Sequence, residues 1–145
     1  MIRWLIVAVA LCACNQASTA RGPHFGDVMT QVGRRFELLG RAIEARRWEL
    51  AEFELGELRE SFDDIPTAQL PKDVKADVRQ LARAFVPTIE ASLQEAVTKR
   101  DVAAAATSFA SAAQVCNACH QASARRFIEV PDKLGEPVPR LDALP

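Results

Sequence analysis

Apolar residues along most of this chain recur at alternating steps of three and four. From Phe25 they fall at Phe25, Val28/Met29, Val32, Phe36, Leu39 and Ile43, the stripe of a helix that buries one face. A second stripe, Trp48, Ala51, Leu55, Leu58 and Phe62, keeps the rhythm in a shifted phase. The slip between Ile43 and Trp48 predicts a break. One helix over 25–62 would be about 57 Å long, too long for a domain of this size. Asp63-Asp64-Ile65-Pro66 ends the second helix. A third is expected from near Pro71, with a seam of Val74, Val78, Leu81, Phe85, Ile89 and Ala96 and a kink at Pro87. Lys99-Arg100 suits its C-terminal dipole, and Asp101 is placed to cap a fourth helix. That helix carries Val102, Ala105, Phe109, Ala112, Cys116 and Cys119 on one face. Ten of the residues from 101 to 126 are Ala. Such a run favours helix and leaves room for a bulky group close to the backbone. No useful period-two alternation occurs, and no Gly lies between Gly56 and Gly135. The expected fold class is all-α: an antiparallel four-helix bundle over 25–127, then an extended Pro-rich tail over 128–145 with Pro131, Pro137, Pro139 and Pro145.

The chain starts differently. Met1-Ile2-Arg3 is a short positive start, and Trp4 to Leu11 is an unbroken apolar run of eight. That run is too short to span a bilayer and suits the apolar region of a secretory signal. In Leu11-Cys12-Ala13-Cys14, Leu stands three places before a Cys that follows a small residue. This is the pattern of a bacterial lipoprotein signal, cut before Cys14 to leave that Cys acylated. The expected organisation is a leader at 1–13, a linker at 14–24, and export to the periplasm on a lipid anchor. A plain signal peptide cut after Ala20 is the alternative.

Lys and Arg number 18 against 19 Asp and Glu, a formal net charge of −1. Nucleic-acid binding driven by bulk positive charge is excluded. With two His in the chain, a three-His metal centre is excluded too. The strongest motif is Cys116-Asn117-Ala118-Cys119-His120, the CxxCH spacing of c-type haem attachment. Residues i and i+3 share a helix face, so both thiols reach the two vinyl groups on one porphyrin edge as thioethers. His120, four places after Cys116, rises on that face as the proximal iron ligand. A zinc site needs a fourth ligand that the motif lacks. A thioredoxin-like redox pair needs a βαβ context. A disulfide across two residues closes a tiny loop and stabilises little. One covalent haem c is therefore expected, on a C-terminal haem-binding helix.

The residue facing the other side of the iron is left open. Once a leader is removed, Met29 is the remaining Met, and His24 is the His left besides His120. Met29 is a candidate sixth ligand or distal residue, and an open or water-filled site is the competing expectation; His24 or a Lys is a third. Arg125 and Arg126 either pair with a haem propionate or simply suit a helix C-terminus. Arg34, Arg35, Arg41, Arg46 and Arg47 face a second helix rich in Glu49, Glu52, Glu54, Glu57 and Glu60. They either complement those carboxylates across a helix pair or offer a face to a redox partner. There is no nucleophile–base set and no catalytic pair of carboxylates.

With a haem motif near the end of an exported helical chain, Cys116, Cys119 and His120 give a sequence that resembles the class II c-type cytochromes, cytochrome c′ and its c-556 relatives. The resemblance implies a haem on the last helix and a first-helix residue, here Met29, facing the iron. It departs in having Ser123 and Ala124 where the family has an aromatic and an Arg. The function it implies is one-electron transfer between periplasmic or membrane redox proteins, with no nucleic acid involved. The alternative is a five-coordinate haem protein that binds or senses NO or CO. A peroxidase-like enzyme is a weaker rival that lacks an identifiable distal His or Arg; a homodimer is left open. Replacing Cys14 by Ser should move the protein from the membrane fraction to the soluble fraction; unchanged membrane association in cell fractionation defeats the lipoprotein expectation.

Overall fold

A computed structural model describes residues 22–140, apart from Lys75 and the side chain of Phe85. The leader, Cys12, Cys14 and the start of the linker lie outside the described residues. So does the end of the tail. The described chain is all-helical: α1 is Phe25–Glu44, α2 Trp48–Asp63, α3 Val78–Thr98 and α4 Val102–Ala122. The described residues contain no strand, only an isolated bridge between His24 and Gln69. No described helix is long and apolar enough to cross a membrane.

The α3 boundary corrects the expected start near Pro71. Pro71 opens a single turn, closed by the bond from Val74 N–H to the Pro71 carbonyl. The helix itself starts where a cap exists. Asp77 accepts from the Gln80 amide at 3.0 Å, supplying a partner to one of the free first-turn donors. The described residues between α2 and α3 therefore form a connecting loop. Arg79 holds it, donating to the carbonyls of Pro66 (3.0 Å) and Ala68 (2.6 Å). α3 then continues through Pro87. Asp101 caps α4 as expected, accepting from Ala103 N and Ala104 N at 3.0 and 3.1 Å.

Three helices end in the same device without glycine. Arg46, Arg100 and Ala124 have φ of 54°, 54° and 59°. Each donates to the carbonyl three residues back: Ile43, Val97 and Gln121 respectively. The next residues, Arg47, Asp101 and Arg125, donate to Ala42, Ala96 and His120. These paired bonds are Schellman closures. Arg47 and Asp101 are also the N-caps of α2 and α4. The left-handed turn that stops one helix thus aims the chain into the next.

Helices pack α1 on α2, α2 on α3, α3 on α4, and α4 on α1. Leu39, Ile43, Leu55, Leu93, Val97, Ala105 and Phe109 are almost wholly excluded from water. These seven lie toward the two tight connections, while Leu58, Val78 and Ala113, also buried, carry the core further along the helices. Phe36 and Phe109 stack with ring centroids 4.0 Å apart and 14° between planes. The ring lies against Gly40, where a Cβ would fall 2.8 Å from Phe109 Cζ. The alanines Ala105, Ala112 and Ala113 are buried in this core. Their small side chains lie among the larger ones of the core cluster. Of the basic residues on α1, Arg35 reaches across to α2, bonding Glu54 at 3.2 Å and Glu57 at 2.8 Å. Arg41 pairs within its own helix, with Glu37.

The described tail returns over α1 and α4. Its backbone closes a loop through Arg140 N–H to the Glu129 carbonyl at 2.8 Å. Arg140 also meets the carboxylates of Glu129 (3.1 Å) and Glu136 (2.8 Å). Val138 N–H donates to Glu37 on α1 at 3.3 Å. At Gly135, φ is +79°, a conformation that favours glycine, and a Cβ would meet the movable end of the Glu44 side chain. The left-handed Arg46 carries a steric cost of about 1–2 kcal/mol. Arg46→Gly should raise stability by roughly 0.5–1 kcal/mol after the added chain entropy is deducted. Urea unfolding checks this; a lower midpoint contradicts the account of the turn.

Candidate functional site

Below the Phe36–Phe109 stack the helices stop filling the space between them. The first half of α1 and α3 and the last half of α4 wall a cavity of about 590 Å³, within the range of sites that hold a bound organic group. Its wall is mostly apolar: Phe25 and Val32 from α1, Phe62 from α2, Leu81, Val86 and Ile89 from α3. Leu81 and Ile89, read from sequence as core seam, thus face the cavity and are only partly buried. The loop after α2 adds Pro71 and Val74; the tail adds Val130, Val138 and Pro139.

Cys116, Cys119 and His120 all line this cavity from one face of α4. That follows from the spacing of three and four within a helix that runs unbroken to Ala122. Both cysteines are free thiols. Burial pushes the Cys116 thiol up to about 12, helped by repulsion from Cys119. Burial raises the Cys119 thiol as well. Both therefore stand as neutral thiols in an apolar wall rather than as thiolates. Among the described residues, no group of three or more His, Cys, Asp and Glu is arranged to hold a bare metal ion.

His120 Nδ1 lies 2.8 Å from the Ile128 carbonyl oxygen. A carbonyl only accepts, so Nδ1 carries the hydrogen and Nε2 keeps its lone pair. Burial holds the imidazole below its ordinary value by penalising the charged form, and the Ile128 bond opposes this in part. The result is a neutral, oriented imidazole, the state in which histidine binds a metal.

Met29 projects from α1 into the same cavity wall and is half-buried. His24 is exposed as the N-cap of α1 and is not in the wall. Its segment is tied to the loop after α2 by bonds from Phe25 N–H to Gln69 O (3.1 Å) and from Gln69 N–H to Pro23 O (2.8 Å). Of the two arginines after the motif, Arg125 lines the cavity and Arg126 is exposed and outside the wall. Arg125 Nη2 meets Asp73 Oδ2 at 2.6 Å. The Arg125 bond holds the Asp73 carboxyl below its ordinary value.

The sequence assigned no site role to Ser123, Asn117 or Ile128. Ser123 is buried in the wall, its hydroxyl against the carbonyls of Cys119 (2.9 Å) and His120 (3.1 Å). Asn117 bonds the tail, and Ile128 acts through its backbone. A Ser three places after His120, one helical turn on, was a usable signal. A backbone carbonyl eight residues after the histidine carried none.

No family model, curated protein or solved structure matches the chain.

The buried imidazole gives a signed pH prediction for the chain with no group bound. Unfolded His120 takes its proton near 6.5, and the folded residue takes it lower. Below 6.5 the unfolded state therefore holds more protons, so stability falls as pH drops through that window. His120→Gln should flatten this part of the stability profile; an unchanged slope between pH 7 and 5 contradicts the assigned burial.

Proposed function

We propose that this is a monohaem c-type cytochrome that carries single electrons between periplasmic or membrane redox proteins. The observation that carries the reading is the convergence of Cys116, Cys119, His120 and Met29 on one apolar cavity of about 590 Å³. Haem c, when bound, supplies an iron that changes oxidation state by one electron.

The residues present fit such a group. Cys116 and Cys119 are neutral thiols on one helix face, placed to hold a macrocycle edge as thioethers. His120 offers a bare Nε2. Apolar walls from α1, α3 and the tail suit the flat faces of a porphyrin and keep water away. Arg34 and Arg125, both in the wall, suit the anionic propionates. A porphyrin brings its own four nitrogens, so the protein need supply no cluster of three metal-binding side chains.

The finer architecture belongs to the same reading. Most of the most deeply buried side chains come from the late half of α1 and α3 and the early half of α2 and α4, and the cavity is walled largely by the reverse halves. That pattern, with short connections at 45–47 and 99–101, supports an antiparallel up-down-up-down bundle of the class II c-type cytochrome kind. Export and a lipid anchor at Cys14 complete the proposal.

A second reading has one observation in its favour. Met29 packs partly against the hydrophobic core, which is also what a gap-filling methionine does. If it stays there, the sixth position is open and the protein binds NO or CO. Two experiments decide. Cys116→Ser with Cys119→Ser should abolish a haem stain that survives denaturing electrophoresis; a persisting stain overturns the attachment. The reduced protein should show sharp low-spin absorption bands that CO leaves unchanged. Broad bands transformed by CO overturn the electron-carrier reading in favour of gas binding.

A further inference from the structure

Within the CxxCH motif, Asn117 makes a double contact that the attachment chemistry does not require. Its Nδ2 donates to the Val130 carbonyl at 2.8 Å, and its Oδ1 accepts from the Val130 amide at 2.8 Å. The amide orientation is forced, because a backbone N–H can face only an oxygen and a carbonyl only a donor. The N–H and C=O of one residue point the same way only when that residue is extended, as at a strand edge. Pro131 follows and biases Val130 to that conformation. Asn117 therefore pairs with Val130 as a neighbouring strand would.

The Ile128 carbonyl, two residues back, also faces α4, where its oxygen lies 2.8 Å from His120 Nδ1. Asn117 and His120 are themselves three apart on α4 and share a face. Glu129, between the two pinned residues, bonds the other way, accepting from Arg140 N–H at 2.8 Å. Holding Val130 thus sets where the Ile128 oxygen falls against the imidazole.

We infer that Asn117 is a positioning residue for His120: its clamp on Val130 aims the Ile128 carbonyl at Nδ1 and so sets the donor strength of the proximal ligand. The inference rests on the haem reading. A hydrogen bond at Nδ1 makes Nε2 more electron-donating and favours oxidised iron. Loss of the clamp should shift the one-electron equilibrium toward reduced iron by about tenfold, a rise of ~59 mV. A merely loosened site would admit water, which stabilises the more charged oxidised state and lowers the potential. The sign therefore separates positioning from loosening.

The experiment is a redox titration of matured Asn117→Ala beside the unaltered protein and Ala118→Ser, an exposed motif position. Expected are a retained haem stain in all three and a raised potential in Asn117→Ala alone. A potential in Asn117→Ala that is unchanged or lower overturns the inference while leaving the haem reading intact. Absence of covalent haem from the unaltered protein overturns both. Hydrogen exchange at the Val130 amide of the unaltered holoprotein gives a second readout that survives a variant that does not fold. Slow exchange supports the clamp, and exchange at the rate of an exposed amide overturns it.

Discussion

The stack of Phe36 on Phe109, seated against Gly40, is the partition on which this fold depends. On one side of it Leu39, Ile43, Leu55, Leu93 and Val97 are wholly excluded from water. On the other, Phe36 itself becomes part of a cavity wall. A cavity is expensive to keep between helices, because the apolar side chains around it lose packing partners. It persists here because the four helices are already fixed at the far end by a dense core, two Schellman turns and the Asp101 cap. The near end is held by links around the rim. Asp73–Arg125 joins the loop after α2 to the end of α4. Gln69 ties that loop to the start of α1. The tail crosses from α4 to α1.

Charge is arranged in the same economical way. Arg35 serves two carboxylates, one of them on the buried Glu54. Removing Arg35 would leave Glu54 buried and unpaired, a larger penalty than the pair's net worth. Arg59 reaches from α2 to Glu90 on α3 at 3.5 Å, where one carboxylate oxygen is buried with no hydrogen-bond partner. Burial raises that carboxyl above its ordinary value against the pull of Arg59. These contacts set which helix lies beside which, more than how tightly they hold.

Much of the helical pattern was legible in the residues. The phase slip between Ile43 and Trp48 marked a real break, Asp101 is a cap, and Asp63-Asp64-Ile65-Pro66 stops α2. Pro71 misled because a residue suited to a first turn does not start a helix without a capped turn behind it; Asp77 supplied that. The Ala run was ambiguous, because small side chains serve close helix packing as well as open space, and composition does not say which. The α3 seam is core at Val78 and Ala96, and Leu81 and Ile89 also line the cavity, because an apolar side chain has the same chemistry whether it meets a neighbouring helix or a cavity.

The sequence by itself determined local matters: four amphipathic helices among the described residues, most of their ends, and a motif whose spacing puts Cys116, Cys119 and His120 on one face. Those follow from backbone geometry and nearest neighbours. Only the tertiary structure decided what that face meets. Met29 joins the wall and His24 does not, Arg125 reaches it and Arg126 does not, and Ile128 orients the imidazole through a carbonyl that every residue possesses. Such outcomes depend on how distant segments close on one another, and no local pattern of side chains encodes that closure.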